Sequence, residues 1–260
     1  MRASDYPYFD QPFIALAHRG GSLLPDNVGR ENTLHAFGNA VALGYTHLET
    51  DVHSTRDGHL VAFHDDVLDR VTDQRGAIAE LSFDEVRQAR VGGIDQIPTL
   101  DEVLDAFPDS YLNIDIKTGG AVEPLVACLN AHRAQKRVCV GSFGPQRLRQ
   151  FRRLMGQQVA TAVGPIGVGW TAKVPVPGHL VSSPGVAFQM PVDHDVRGHT
   201  IKTLTPSLLR SAHASGKVVH IWTVNDADQM EQLIDLGVDG LVTDAIDVLR
   251  DLLLARGLWH

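Results

Sequence analysis

Glu49 and Asp51 stand two residues apart in Leu48-Glu49-Thr50-Asp51-Val52, where apolar and acidic residues alternate. Alternation at period two marks a β-strand, which puts both carboxylates on one face, roughly 7 Å apart. Two carboxylates on one strand face resist burial unless a cation, a proton or basic side chains compensate them. Asn113, Asp115 and Lys117 repeat the spacing at the end of a second apolar run. His18-Arg19 and His64-Asp65 each close a further apolar run. If these ends meet, one surface gathers three carboxylates, two imidazoles and two fixed positive charges.

That set has a definite chemistry. Glu49, Asp51 and Asp115 offer only oxygen, which suits one hard divalent cation, Ca²⁺ or Mg²⁺, with Mn²⁺ also accommodated. Zinc prefers nitrogen or sulfur. His18 and His64 can serve as general acid and base, and Arg19 and Lys117 match the non-bridging oxygens of a phosphoryl group. The implied reaction is metal-assisted cleavage of a phosphate ester. Glycoside hydrolysis also uses paired carboxylates, but it leaves both histidines and both cations without a role. Each residue alone has a plainer reading. One histidine among 13 is ordinarily surface or core, and an Asp-x-Lys pair is ordinarily a salt bridge. Joint placement at strand ends is what favours the site. Of the remaining histidines, His35, His132 and His213 lie on helices and should face solvent. His194 and His199 follow Met190 in a loop that can approach the site. His220 interrupts an apolar strand and reads as a buried structural residue.

The elements that must position these side chains alternate along the chain. Strands are expected at Phe13–Ala17, Thr46–Val52, Tyr111–Ile116, Val138–Ser142, Val159–Val163, Val186–Met190, Val218–Val224 and Gly240–Thr243, with amphipathic helices between most of them. Continuous apolar strands separated by helices predict a parallel sheet covered on its outer face. Leu60–Phe63 is a ninth strand candidate, but no helix separates it from the strand before it. A parallel neighbour needs a crossover, so this segment belongs to an insertion. Eight βα units remain, which is a TIM (β/α)8 barrel with a small insertion between strand 2 and helix 2, about residues 57–98, in a single domain spanning 1–260. A doubly wound open sheet is the alternative, without a phosphate-type glycine fingerprint to support it. Residues 164–184 are rich in Gly and Pro and receive no regular structure.

Composition narrows the function. The chain has 260 residues, 43% hydrophobic, with a formal net charge of −8. This balance, without any dense basic run, argues against a nucleic-acid binder. Cys128 and Cys139 fall in no metal or redox spacing and read as small buried apolar residues. No apolar run reaches the roughly 18 residues of a membrane span, and no leader pattern is visible at Met1–Gln11. A cytoplasmic protein without stable membrane association is the expectation.

His18-Arg19-Gly20, Glu31-Asn32-Thr33, Glu49-x-Asp51-Val52, Thr55-Arg56-Asp57-Gly58 and His64-Asp65 occur in this order. With Asn113-Ile114-Asp115-Ile116-Lys117, His220-Ile221-Trp222-Thr223-Val224-Asn225 and Thr243-Asp244, the series resembles the glycerophosphodiester phosphodiesterase family over residues 13 to 250. The resemblance implies a TIM barrel with a small insertion after the second strand. It implies divalent-cation-dependent hydrolysis of glycerophosphodiesters, the small-molecule partner, to glycerol 3-phosphate and an alcohol. By position, His18 and His64 would be the acid/base pair, Glu49, Asp51 and Asp115 the metal ligands, and Arg19 and Lys117 the phosphate-binding cations. Glu31 would support the metal shell or orient His18 or Arg19. Trp222 would line the mouth against the glycerol or head group, and Asn225 would support the site from behind. The chain departs from the family in the longer loop Asp26–Arg30 before Glu31, and in Asp115, where family members commonly carry Glu. A lysophospholipase D acting on lipids is a second reading, for which residues 168–181 would have to supply an apolar mouth. A metal- or phosphate-binding relative without turnover is a third, disfavoured because binding alone needs neither acid nor base.

Overall fold

The computed structural model describes residues 1–164, 183–196 and 199–259, without the side chains of 194–202. The expectations for 164–184, for an apolar mouth at 168–181 and for the side chains of His194 and His199 fall outside it, except at residues 164, 183 and 184. Eight parallel strands form the sheet: β1 (Ile14–His18), β2 (His47–Ser54), β3 (Tyr111–Ile116), β4 (Val138–Gly141), β5 (Ala160–Thr161), β6 (Ala187–Met190), β7 (Val218–Ile221) and β8 (Gly240–Thr243). Their order is β5-β4-β3-β2-β1-β8-β7-β6. The two ends meet at a parallel bridge between Ala162 and Ala187. Val186 N–H donates to the Thr161 carbonyl at 2.8 Å, and Val163 N–H donates to that of Ala187 at 2.7 Å. The β5–β6 seam is therefore narrow, and β5 is shorter than its apolar run. Gly185 permits the close approach, since a Cβ there would meet the Ala162 carbonyl oxygen at 2.4 Å.

Helices α1 (Leu34–Ala42), α2 (Phe83–Gln88), α3 (Leu100–Ala106), α4 (Val122–Ala131), α5 (Pro145–Met155), α6 (Pro206–Ala214), α7 (Ala227–Leu236) and α8 (Ile246–Ala255) complete the alternation. Their starts are written locally. Thr33 accepts from the Ala36 N–H to cap α1. Thr99 and Glu102 form a capping box at α3, and Ser82 and Glu85 another at α2. Between barrel wall and helices, Phe37, Leu48, Leu104, Leu112, Leu125 and Leu129 join one buried cluster. Inside the barrel, Leu16, Cys139, Ala160 and Val242 pack with Tyr8 of the N-terminal segment. Tyr8 stoppers the end opposite the chemistry: its carbonyl accepts from His47 Nε2 at 3.0 Å, and the His47 ring stacks on Tyr111. His220 is fully buried there, as expected for a structural residue, and neither ring nitrogen has a hydrogen-bond partner.

The short strand Leu60–Ala62 pairs antiparallel with β2 rather than entering the barrel. The chain from there to α3 builds a small cluster of its own from Val61, Phe63, Leu68, Ile78, Val86 and Ile97. Two expectations change in detail. Strand β7 ends at Ile221, because the backbone beyond it changes partners: Trp222 N–H donates to Met190 of β6, whereas Val224 N–H donates to Val242 of β8. The chain after Met190 is not a plain loop. Asp193–Val196 and His199–Lys202 pair antiparallel, in keeping with the β-branched residues Val196, Thr200 and Ile201.

Candidate active site

Strand register brings the acidic positions to one rim. His18 is the parallel partner of Glu49, Glu49 of Asn113, and Asp51 of Asp115. Each strand then hands over to a turn that aims the next residue. Arg19 takes a left-handed backbone with φ +50, and Gly20 follows with φ +88. A Cβ on Gly20 would lie 2.7 Å from the Ala36 Cβ and 2.8 Å from its backbone carbon. Only glycine lets β1 turn this tightly against the start of α1. The Arg19 carbonyl accepts from Asn32 N–H at 2.9 Å. Asn32, itself at φ +57, donates through Nδ2 to Asp51 Oδ2 at 3.1 Å and accepts from Thr50 at 2.8 Å.

Both histidines are held by carboxylates of their own. His18 Nδ1 lies 2.8 Å from Asp244 Oδ1, and its Nε2 lies 3.8 Å from Glu49 Oε2. Burial lowers the His18 pKa, but the Asp244 hydrogen bond and the charges of Glu49 and Asp244 outweigh it, so the net shift is upward. His64 Nδ1 lies 2.6 Å from Asp65 Oδ1. Carboxylates accept only, so both rings present N–H at Nδ1 and leave Nε2 for chemistry.

Arg19 contacts Glu31 Oε1 through Nη1 at 3.0 Å, and its Nε lies 3.2 Å from Asp51 without hydrogen-bond alignment. Lys117 Nζ stands between Asp51 Oδ1 and Asp115 Oδ2 at 2.8 Å from each. Burial alone would raise the Asp51 carboxyl, yet Lys117 and Arg19 hold it below its ordinary value. Glu49 receives less compensation, and burial together with the Asp51 charge pushes its carboxyl up to about 7. Trp222 meets Phe143 edge-to-face at 5.6 Å between centroids, and Lys117 lies 5.9 Å from the Phe143 ring. Asn225 Nδ2 donates to Asp244 Oδ2 at 3.0 Å.

All ten residues singled out from the sequence thus join one connected network. Two positioning residues were not singled out. Asp244 orients His18 and also accepts from Ser22 at 2.9 Å; Thr243-Asp244 belongs to the resemblance but stood without a role. Arg70 donates to Asp65 at 2.6 and 3.0 Å and to Glu31 at 2.7 and 2.9 Å. It lies in a polar stretch with weak periodicity, which gave no signal. Asn113, also on the predicted face, turns aside to accept from Gln189 of β6 at 2.8 Å.

The fit to a cation rests on donor chemistry. The rim supplies oxygen ligands alone, and Glu49 is a buried carboxylate short of positive charge. Glu49, Asp51 and Asp115 do not form a group whose ligand atoms lie within 4.8 Å of one another; Lys117 takes the space between Asp51 and Asp115.

The parallel barrel gathers two carboxylate-held histidines, an arginine and a lysine at its C-terminal rim, the face on which TIM-barrel enzymes carry their sites. More narrowly, the family model described as Glycerophosphoryl diester phosphodiesterase family matches residues 18–248, and the chain belongs to that family of phosphoric diester hydrolases. It is 39% identical over 254 residues to the protein named Probable glycerophosphodiester phosphodiesterase 2 of Mycobacterium tuberculosis, covering 95% of this chain and 92% of that one. It is 30% identical to a glycerophosphodiester phosphodiesterase of Caldanaerobacter subterraneus, covering 94% and 99%. Its fold matches an Oleispira antarctica phosphodiesterase solved in complex with the product sn-glycerol-3-phosphate, with TM-score 0.74 at 24% identity, covering 96% and 98%.

Proposed function

We propose that the protein hydrolyses glycerophosphodiesters to glycerol 3-phosphate and an alcohol, with His18 as base and His64 as acid. The observation that carries this reading is the pairing of each histidine with its own carboxylate beside Arg19 and Lys117. Asp244 fixes the His18 tautomer, so Nε2 can take a proton from the attacking oxygen, whether water or a substrate hydroxyl. Asp65 holds His64 through Nδ1, so its Nε2 can deliver a proton to the departing alcohol. Arg19 and Lys117 neutralise charge that builds on the phosphoryl oxygens. Trp222 and Phe143 give the organic part of the substrate an apolar wall. Glu49, Asp51 and Asp115 would hold a divalent cation, Ca²⁺, Mg²⁺ or Mn²⁺, once Lys117 moves from between Asp51 and Asp115 toward the phosphate. When bound, that cation supplies Lewis-acid polarisation of a phosphate oxygen. Among the described residues, no helix is long and apolar enough to cross a membrane.

The test is turnover of glycerophosphocholine and glycerophosphoethanolamine, with and without EDTA and with each of the three cations. Wild-type enzyme should lose activity in EDTA and regain it with at least one ion. His18→Ala and His64→Ala should each lower kcat by about 10²–10⁴-fold. A near-wild-type rate in either variant defeats the acid/base assignment, and full activity after chelation defeats the metal assignment.

A further inference from the structure

We propose that Asp101, Cys128 and His132 form a second metal site, for a zinc-like cation, on the outside of the barrel between α3 and α4. The site is separate from the rim and shares no residue with it. The ligand atoms of these three side chains lie within 4.8 Å of one another. Among the described residues, no other trio of His, Cys, Asp or Glu is gathered so closely.

The geometry follows from helical spacing. Asp101 and Asp105 lie one turn apart on α3, and Cys128 and His132 lie one turn apart at the end of α4. Residues four apart share a helix face, so packing the two helices brings the two pairs together. Val103, Leu104, Leu125 and Leu129 are buried in the cluster beneath that contact, which gives the four side chains a fixed base. His132 Nε2 lies 2.8 Å from Asp101 Oδ1, and its Nδ1 lies 3.2 Å from Asp105 Oδ1. Asp105 thus holds the ring by the nitrogen facing away from the cation, the carboxylate–imidazole arrangement that commonly supports a metal-binding histidine. Asp101, Cys128 and His132 Nε2 would be the three ligands, with solvent completing the shell.

Ligands at about 2.0–2.3 Å in tetrahedral array stand roughly 3.3–3.8 Å apart. The observed separations, 2.8 Å between Asp101 Oδ1 and His132 Nε2 and at most 4.8 Å across the trio, bracket that spacing. One thiolate, one imidazole and one carboxylate suit zinc, not the hard cation expected at the all-oxygen rim. Burial and Asp101 push the Cys128 thiol up, so it is protonated until a cation arrives. Binding therefore replaces S–H by S–metal, releasing that proton to solvent, and shifts the His132 N–H from Nε2, where it faces Asp101, to Nδ1, where it faces Asp105.

The test is a Co²⁺ titration of the full chain after chelation, read by the near-ultraviolet charge-transfer absorption that only a thiolate–cobalt bond produces. The rim site has no sulfur and is silent in this readout. Wild type should develop the band at about one equivalent. Cys128→Ser should lack it, and Asp101→Asn should need at least about tenfold more Co²⁺. Asp101 is exposed, so the second variant reads the site without disturbing the core, and its turnover of glycerophosphocholine should equal that of wild type. No band in wild type at saturating Co²⁺, an undiminished band in Cys128→Ser, or unchanged Co²⁺ demand in Asp101→Asn would each overturn the proposal.

Discussion

Asp244 and Arg70 act through other residues, and their removal should be distinguishable from loss of a catalytic group. Asp244 raises the His18 pKa through a hydrogen bond and its charge. Asp244→Asn removes the charge and should lower that pKa. A base with a lower pKa is deprotonated at lower pH, so the acidic limb of the kcat/KM profile should move to lower pH while the plateau falls. An unmoved limb would separate His18 from the base role. Arg70 ties Asp65, and through it His64, to Glu31 and Arg19; Asp65 is held down to about 2, chiefly by the Arg70 hydrogen bond. Arg70→Met should lower kcat about tenfold or more with a smaller change in KM, and Arg70→Lys should recover part of it. Equal rises in KM with kcat unchanged would make Arg70 a substrate-binding residue instead.

At the level of the element, the turn after β1 does most to assemble the site. Gly20 lets that turn pack on α1, and the turn in turn sets Arg19 and Asn32 against Asp51. Gly20→Ala must fit a Cβ into backbone at 2.8 Å and hold a positive φ. The variant should lose about 2 kcal/mol or more of stability, read as a lower urea midpoint, and lose activity with it. Gly29 offers a control with similarly positive φ but open space around its Cβ position. Gly29→Ala should cost only about 1 kcal/mol.

The whole barrel carries two buried neutral histidines at its closed end. Burial lowers His47 to about 4 and His220 to about 3. An unfolded histidine titrates near 6.5, so below that pH the unfolded chain takes up protons that the folded chain refuses. Stability contributed by the neutral rings is complete above about pH 6.5 and is lost as pH falls toward 4 and 3. Each titrating group then costs up to about 1.4 kcal/mol per pH unit. His220→Leu should flatten the fall in unfolding free energy between pH 6.5 and 4.5, relative to wild type. An identical slope would mean that His220 is not neutral and buried in solution.

The positions of the eight barrel strands, the exclusion of Leu60–Phe63 from the barrel, and the gathering of His18, Glu49, Asp51, His64 and Lys117 were legible in the chain itself. They follow from local rules: side-chain alternation along a strand, the crossover a parallel neighbour requires, and the placement of strand ends on one face. What lay beyond sequence is contact between distant residues. Asp244 reaches His18 only because β8 closes against β1, and Arg70 reaches Glu31 only because the insertion folds over the rim. Cys128 reads as an inert core thiol until α4 packs on α3 and brings Asp101 beside it. Lys117 likewise reads as a phosphate ligand, yet register places it between Asp51 and Asp115, because a buried ammonium seeks the nearest carboxylates when free energy is lowered by pairing. Periodicity acts over a few residues, whereas pairing of charges is decided by which elements tertiary packing makes neighbours.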